Sequence, residues 1–310
     1  MTTLQDLGRK GFRSLGVNPT GAMDETAVRL INVLLENNEN EAVLEIHFPP
    51  SEILFEKDAV FALGGADFNA ELNSEKIENW KIHFAERKSV LKFNRKNVGN
   101  RTYLSVKNGF RVEKILGSAG TNLAAKFGGF DGGKLQIGDR IFFNSEIQNK
   151  NSLFSASISN DLIPIYSKFP TVRIMSGAEF ENLTDSSRQS FLDMDFTITQ
   201  NSNRMGFRLK GEPLDTTNKK ELVSSAVNFG TIQLLPDGQV IILMADHQTS
   251  GGYPRIANVI SSDLPLAAQL GANDKISFHL VSIQEAENLL LDFEKNLNLL
   301  KIGVILRKTS

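Results

Sequence analysis

The stretch Thr231-Ile232-Gln233-Leu234-Leu235-Pro236-Asp237-Gly238-Gln239-Val240-Ile241-Ile242-Leu243-Met244 decides the fold class. Pro236-Asp237-Gly238 suits a tight turn, because Pro presets φ at one turn position and Gly accepts a positive φ at another. The flanking runs are short, apolar and rich in β-branched residues, so the segment is expected to form a β-hairpin. Val240 to Met244 is apolar at every position, which predicts a strand buried on both faces.

Working outward, the same grammar recurs. Thr102-Tyr103-Leu104-Ser105-Val106 alternates polar and apolar, Asn108-Gly109 is a strong hairpin signal, and Phe110-Arg111-Val112-Glu113 continues the alternation, so a second hairpin is expected there. Ile53-Leu54-Phe55 and Ala59 to Leu63 are further strand candidates around Glu56-Lys57-Asp58. Helices are fewer. Asp24 suits an N-cap for a helix to about Glu36, with Ala27, Val28, Ile31, Leu34 and Leu35 on one face. Ile283 to Leu297 is a second, with shorter pieces at Gly177–Asn182, Asp185–Leu192 and Leu264–Leu270. The polar, Asn- and Ser-rich stretch Asn144–Asn160 is the candidate connector. A mainly β protein in two β-rich lobes, residues 1–150 and 151–310, with a few peripheral helices, is the expected organisation.

The chain has 310 residues, 34 Lys and Arg against 36 Asp and Glu, and a formal charge of −2. That balance argues against nucleic acid or an anionic membrane as the main partner. With no cysteine, disulfides, thiolate metal sites and cysteine nucleophiles are excluded. Four dispersed histidines (His47, His83, His247, His279) form no HExxH-like pair, and no metal site is expected. The start lacks the pattern of a secretory signal, and the longest apolar run, Val240 to Ala245, is too short to cross a bilayer. A cytoplasmic location is expected.

Gly128-Gly129-Phe130-Asp131-Gly132-Gly133-Lys134 has the spacing of a phosphate-binding loop, but Leu135 stands where a hydroxyl should hold Mg²⁺, and a strand-like alternation follows where a helix should open. A glycine-rich turn is expected instead. The densest cluster is Asp246-His247-Gln248-Thr249-Ser250-Gly251-Gly252-Tyr253-Pro254-Arg255. Gly251-Gly252 permits positive φ and close backbone approach to a ligand, Arg255 offers a planar fork for an anion, and Asp246 is either a proton acceptor or a turn cap. His247 borders the cluster and could serve as a general base at neutral pH, but a lone histidine with no visible partner is more often incidental, and no role is assigned to it. Arg204 and Arg208, four apart in Asn203-Arg204-Met205-Gly206-Phe207-Arg208-Leu209, would share a strand face and could hold an anion, or flank a core of Met205, Phe207 and Leu209. Gln5, Asp6 and Arg9 precede Gly16-Val17-Asn18-Pro19-Thr20-Gly21-Ala22-Met23-Asp24, where a helix N-terminus could support an anion or Asp24 simply cap the helix.

These clusters, in this order, resemble the allophanate hydrolase subunit 2 family, also called KipA or PxpC and described as biotin-dependent carboxyltransferase-like. Thr2-Thr3-Leu4-Gln5-Asp6-Leu7-Gly8-Arg9 with Gly21-Ala22-Met23-Asp24 is similar to its opening. Ala42-Val43-Leu44-Glu45 and Leu63-Gly64-Gly65-Ala66-Asp67 fit its next blocks. Arg204 to Gly211 matches the Arg-Met-Gly-x-Arg-Leu-x-Gly block, with Asn203 where Asp is usual. Asp237-Gly238-Gln239 through Gln248 to Ala257 is the most specific match.

The resemblance covers nearly the whole chain and implies a cyclophilin-like β-barrel architecture. It implies a subunit of a prokaryotic ATP-dependent 5-oxoprolinase, opening 5-oxo-L-proline to L-glutamate with a KipI/PxpB-like subunit and a LamB/YcsF-like subunit, ATP and Mg being required by the complex. Two other roles are implied for relatives: the second half of a split carboxyltransferase using carboxybiotin, and a regulatory antagonist of a kinase inhibitor. The motif positions suggest Arg255 and Arg204 for holding a carboxylate or activated oxygen, and Asp246 or Gln248 for handling protons. Tyr253 would be a wall or hydroxyl donor, and Gly251, Gly252, Gln5, Asp6 and Arg9 would contact substrate. Such a subunit is expected to be inactive alone.

Overall fold

The alternation of apolar and polar residues builds two separate β structures. The computed structural model describes residues 1–145, 156–218 and 222–307, so most of the expected connector at 144–160 lies outside the described residues. The chain divides into two compact units. One holds Met1–Arg9, Thr20–Pro164 and Glu294–Ser310; the other holds Lys10–Pro19 and Ile165–Phe293.

The first unit contains β1 (Thr2–Gln5), β2 (Val43–His47), β3 (Ile53–Leu54), β4 (Ala59–Asp67), β5 (Ala70–Leu72), β6 (Glu75–Lys76), β7 (Ile82–Ala85), β8 (Val90–Phe93) and β9 (Val98–Val106), with α1 (Glu25–Leu34) between β1 and β2. They form an antiparallel sheet of order β1-β2-β9-β4-β7 and a four-stranded sheet of order β3-β8-β5-β6. Leu4, Leu44, Ile46, Phe61, Leu63, Leu91, Leu104 and Val106 make a common core from both sheets. Asp24 caps α1 as expected, its Oδ1 accepting from Ala27 N at 2.9 Å.

The hairpin expected at Thr102–Glu113 does not form. Asn108 and Gly109 do turn the chain with φ of 68° and 78°. Both edges of β9, however, are already paired, with β2 through Leu44 and Leu104 and with β4 through Phe61 and Val106. The returning segment goes elsewhere: Phe110 bridges Phe143, and Arg111 N donates to Phe142 O at 2.7 Å. The glycine-rich segment at 128–134 folds as consecutive tight turns, with no helix.

The second unit contains β10 (Thr171–Ser176), β11 (Phe196–Ile198), β12 (Gly206–Lys210), β13 (Ser225–Ala226), β14 (Thr231–Leu234), β15 (Val240–Leu243), β16 (Ser250–Gly251), β17 (Arg255–Val259) and β18 (Lys275–Leu280). Seven of them close a barrel of order β10-β17-β14-β15-β12-β11-β18, and β13 pairs β16 as a two-stranded ribbon. The hairpin expected around Pro236-Asp237-Gly238 is present, with Ile232 opposite Ile242 and Leu234 opposite Val240. Val240, Ile242 and Leu243 are buried and Ile241 is half-buried, so β15 is nearly a two-faced core strand. Phe191 stacks on Phe278 with ring centroids 5.0 Å apart, and both rings are buried.

α2 (Asp185–Asp193) and α3 (Leu264–Ala268) fall where short helices were expected. α4 (Ile283–Arg307) continues ten residues beyond Leu297. In the first unit its last turns are held by Arg29, which bonds Glu294 at 2.6 and 2.8 Å and Glu39 at 2.6 Å, and by a Lys301–Glu39 ion pair. Among the described residues no helix is long and apolar enough to cross a membrane. The mainly β architecture with its barrel is the one expected.

Candidate functional site

β15 ends at Leu243, and the chain then turns through Asp246 and His247 toward β16 and β17. Asp246 is held by Arg204 in a bidentate ion pair, Nε to Oδ2 at 2.9 Å and Nη2 to Oδ1 at 3.0 Å, with both side chains about 5% exposed. Asp246 N also donates to Arg204 O at 2.8 Å, and Asn18 Nδ2 donates to Asp246 O at 3.0 Å. Arg204 lies in the turn Asn203–Gly206 ahead of β12, whereas Arg208 stands exposed on the strand. The expected sharing of one strand face by Arg204 and Arg208 therefore fails, because Arg204 precedes the regular β pairing. Of the expected core partners Phe207 and Leu209 are buried, but Met205 is exposed.

Arg255 opens β17 and is neutralised by Glu179. Its backbone N and Nε donate to Oε2 at 2.8 and 3.0 Å, and Nη2 donates to Oε1 at 2.8 Å. This pairing holds the Glu179 carboxyl below its usual range, chiefly through the hydrogen bond from Arg255. Gln248 and Tyr253 are exposed, so an amide and a phenol are presented to solvent from one loop. Gly251 and Gly252 do not adopt positive φ, contrary to expectation. Their glycine requirement is close approach: a Cβ on Gly251 would stand 2.8 Å from Gln233 Nε2, and one on Gly252 would stand 3.3 Å from Leu222 O.

Three residues of this unit carry chemistry that the sequence did not assign. His247 is 2% exposed, and its Nδ1 lies 2.5 Å from Gln248 O. A carbonyl only accepts, so Nδ1 carries the proton and Nε2 is the acceptor of the neutral ring. Burial lowers the His247 pKa from its ordinary 6.5, with the charge of Arg13 acting in the same direction. Arg13 sits in a short 3-10 turn, Arg13–Leu15, donating to Asn228 Oδ1 at 2.6 Å and to Val227 O. Asn18 fixes the Asp246 carbonyl through its side-chain amide. The segment Lys10–Pro19 thus contributes Arg13 and Asn18 to the same unit as the Asp246–Arg255 loop.

The N-terminal candidates belong to the other unit. Asp6 is buried and accepts from Gly8 N at 2.9 Å, Ser118 Oγ at 2.6 Å and Ala119 N at 2.7 Å. Gln5 Nε2 donates to Thr121 O at 3.1 Å and to Thr3 Oγ1 at 3.2 Å. Arg9 is fully buried, donates to Gly120 O and lies 4.5 Å from the Phe127 ring centroid. These three clamp the 118–122 loop. A cavity of about 390 Å³ in this unit, lined by Leu34, Leu162, Leu299 and Val304 with Asp161, includes none of the candidate site residues read from the sequence. Among the described residues no three His, Asp or Glu side chains gather as a metal site.

Comparison with known proteins adds the family. Residues 15–280 match the model described as "Carboxyltransferase domain, subdomain A and B". The chain is 36% identical to a 5-oxoprolinase subunit of Haemophilus influenzae, over 93% of this chain and 90% of that one. It is 35% identical to the corresponding 5-oxoprolinase subunit of Escherichia coli, over 92% and 90%. The crystal structure of the Kluyveromyces lactis urea carboxylase superposes with a TM-score of 0.89 at 26% identity, over 98% of this chain but only 28% of that one. A family match across most of the chain, running through both structural units, leaves one assignment: the protein belongs to the carboxyltransferase domain family, subdomain A and B.

Proposed function

We propose that this chain is the PxpC-type subunit of an ATP-dependent 5-oxoprolinase, a complex that opens 5-oxo-L-proline to L-glutamate. The observation that carries the reading is two-way coverage. The chain accounts for about nine-tenths of relatives that are themselves named as subunits, whereas it accounts for about a quarter of the urea carboxylase. A KipI/PxpB-like and a LamB/YcsF-like protein would be the other subunits, and the isolated chain would be inactive. ATP and Mg²⁺ belong to the complex as a whole in this reading. The 128–134 turns, which open no helix toward a phosphate, are not the proposed nucleotide site.

Within this chain the reading places the substrate against the loop from Asp246 to Arg255. A lactam carbonyl is a weak electrophile, and its opening needs donors fixed where negative charge develops on oxygen. Gln248, Tyr253 and the backbone of Gly251 and Gly252 are the groups proposed to face it. Asp246 and Arg204 already satisfy each other, and separating a buried pair costs about 3–5 kcal/mol. We therefore assign them to holding the loop rather than to direct contact with the substrate. Neutral His247, with Nε2 as acceptor, is the proposed base of this unit. Arg255, tied to Glu179, orients the loop's far end. In the first unit, Gln5, Asp6 and Arg9 are assigned to shaping the 118–122 loop.

The second reading, half of a carboxyltransferase fed by carboxybiotin, is favoured by the superposition on urea carboxylase. The test is ATP-dependent glutamate release from 5-oxoproline by this chain with its co-encoded partners, each omitted in turn. Loss of activity when this chain is left out is expected. An intact complex that releases no glutamate would move the assignment to carboxyl transfer.

A further inference from the structure

Arg204 and Arg255 each carry their own carboxylate, Asp246 and Glu179, in bidentate geometry. An arginine so paired presents little net charge to a ligand, since the partner's field cancels its own at any longer distance. Arg13 differs from both. Its hydrogen-bond partners are neutral, the Val227 carbonyl and Asn228 Oδ1, and among the described residues no carboxylate pairs with it. Asn228 is itself fixed, its backbone N donating to Thr231 Oγ1 at 3.0 Å and its carbonyl accepting from Thr231 N at 3.0 Å.

Arg13 is therefore a half-buried cation, oriented by two bonds on its outer nitrogens and not neutralised by any carboxylate among the described residues. A guanidinium has five N–H donors, so three remain for a ligand. A fork already held in place loses little entropy when it binds a planar anion. Burial is the main cause of the lowered His247 pKa, and the Arg13 charge acts in the same direction.

We propose that Arg13 receives the carboxylate of the substrate. The inference rests on the 5-oxoprolinase reading, and it has a chemical reason within it. 5-Oxoproline carries a carboxylate next to its lactam, whereas urea carries no charge, so an uncompensated arginine suits the first substrate and gains nothing from the second. Arg13 is then a specificity residue: it distinguishes a lactam bearing a carboxylate from the same ring without one.

The experiment uses the reconstituted complex, with 5-oxoproline and 2-pyrrolidone, the same lactam lacking the carboxylate, as probes. Binding is measured by calorimetry and turnover separately. A charge-assisted hydrogen bond to a carboxylate predicts that Arg13→Gln weakens 5-oxoproline binding about 10- to 100-fold while leaving 2-pyrrolidone within about twofold. Arg13→Lys, which keeps the charge and loses the fork, should retain part of the preference. Equal losses for both ligands would mean a structural role and overturn the proposal, as would unchanged 5-oxoproline binding or no binding of 5-oxoproline to the unmodified complex. Should Arg13→Gln prevent assembly, Arg13→Lys decides: a preference that persists supports the proposal, and one that falls to equality overturns it. Binding that depends on Arg13 in a complex without turnover would sustain the carboxylate site and sink the 5-oxoprolinase reading alone.

Discussion

Arg204 and Asp246 are joined twice, by a bidentate side-chain ion pair at 2.9 and 3.0 Å and by a backbone hydrogen bond from Asp246 N to Arg204 O at 2.8 Å. The side-chain pair is almost fully buried. Arg204→Ala leaves the buried Asp246 carboxylate without its ion pair and should lower stability by about 3–5 kcal/mol, and Asp246→Ala should also be destabilising. The double variant should lose clearly less than the sum, since no charge is then left alone. Urea denaturation of the two single variants and the double measures the coupling. Strictly additive losses would show that the pair does not act as a unit.

Arg255 and Glu179 form a more exposed pair, and its removal should act on activity more than on folding. Arg255 is 26% exposed at the side chain and Glu179 13%. A partly exposed pair of this kind contributes about 1 kcal/mol or less. Arg255→Ala should therefore melt within a few degrees of the unmodified chain while abolishing turnover of the complex, because the Gly251–Arg255 end of the loop loses its anchor. Thermal melts and glutamate release on the same preparations test both halves. Full activity in Arg255→Ala would remove this residue from the site.

Much of the fold was legible where pairing is local. The hairpin of β14 and β15 could be read because its turn and both strands are contiguous, and Asp24 could be read as a cap because its bond partner is three residues away. The error at Thr102–Glu113 has the opposite cause. Whether Phe110 pairs back is decided by β2 and β4, whose residues lie some forty or more positions earlier in the chain. The site divides in the same way. The glycine, amide and arginine cluster after β15 announced itself by composition. Charge compensation did not, since Asp246 lies 42 residues from Arg204 and Glu179 lies 76 from Arg255. That is why two paired arginines looked available and Arg13, whose partners lie more than 200 residues away, looked ordinary.

The buried His247 and the half-buried His83 both contribute to the response to acid. His247 faces Arg13, Asp246 and the Gln248 carbonyl, and burial is the leading cause of its lowered pKa. His83 in the other unit faces Lys81 and Glu78, lies 5.5 Å from the Phe61 ring centroid, and is lowered for the same reason. A folded-state pKa below the ordinary 6.5 means that the unfolded chain takes up the proton first. The stability due to each neutral ring is thus present above pH 6.5 and is lost as pH falls through the folded value. Melting temperature should decline from pH 7.5 to 5.5, and less steeply in His247→Gln. If His247 is the base, kcat/KM of the complex should rise with pH along a limb whose pKa lies below 6.5, and His247→Gln should remove that limb. A limb unchanged by the substitution would assign the base elsewhere.

Gly128 offers a test of the Arg9 clamp in the first unit. Its φ is +74°, a conformation that costs any residue with a Cβ, and a Cβ there would collide with Arg9 Nη2 and with Gly120 O. Arg9 cannot step aside without giving up its bond to Gly120 O and its place over Phe127. Gly133 in the same glycine-rich turn is the control, since its φ is not positive and its nearest neighbour to a new Cβ, Phe130 O, is 3.9 Å away. Gly128→Ala should therefore cost about 2 kcal/mol or more, from strain at a positive φ together with overpacking. Gly133→Ala should stay within about 0.5 kcal/mol. Denaturant titration of both variants measures the difference. Equal and small effects would mean that the 128–134 turns are free to move, and that Arg9 is held by its other contacts rather than by this close approach.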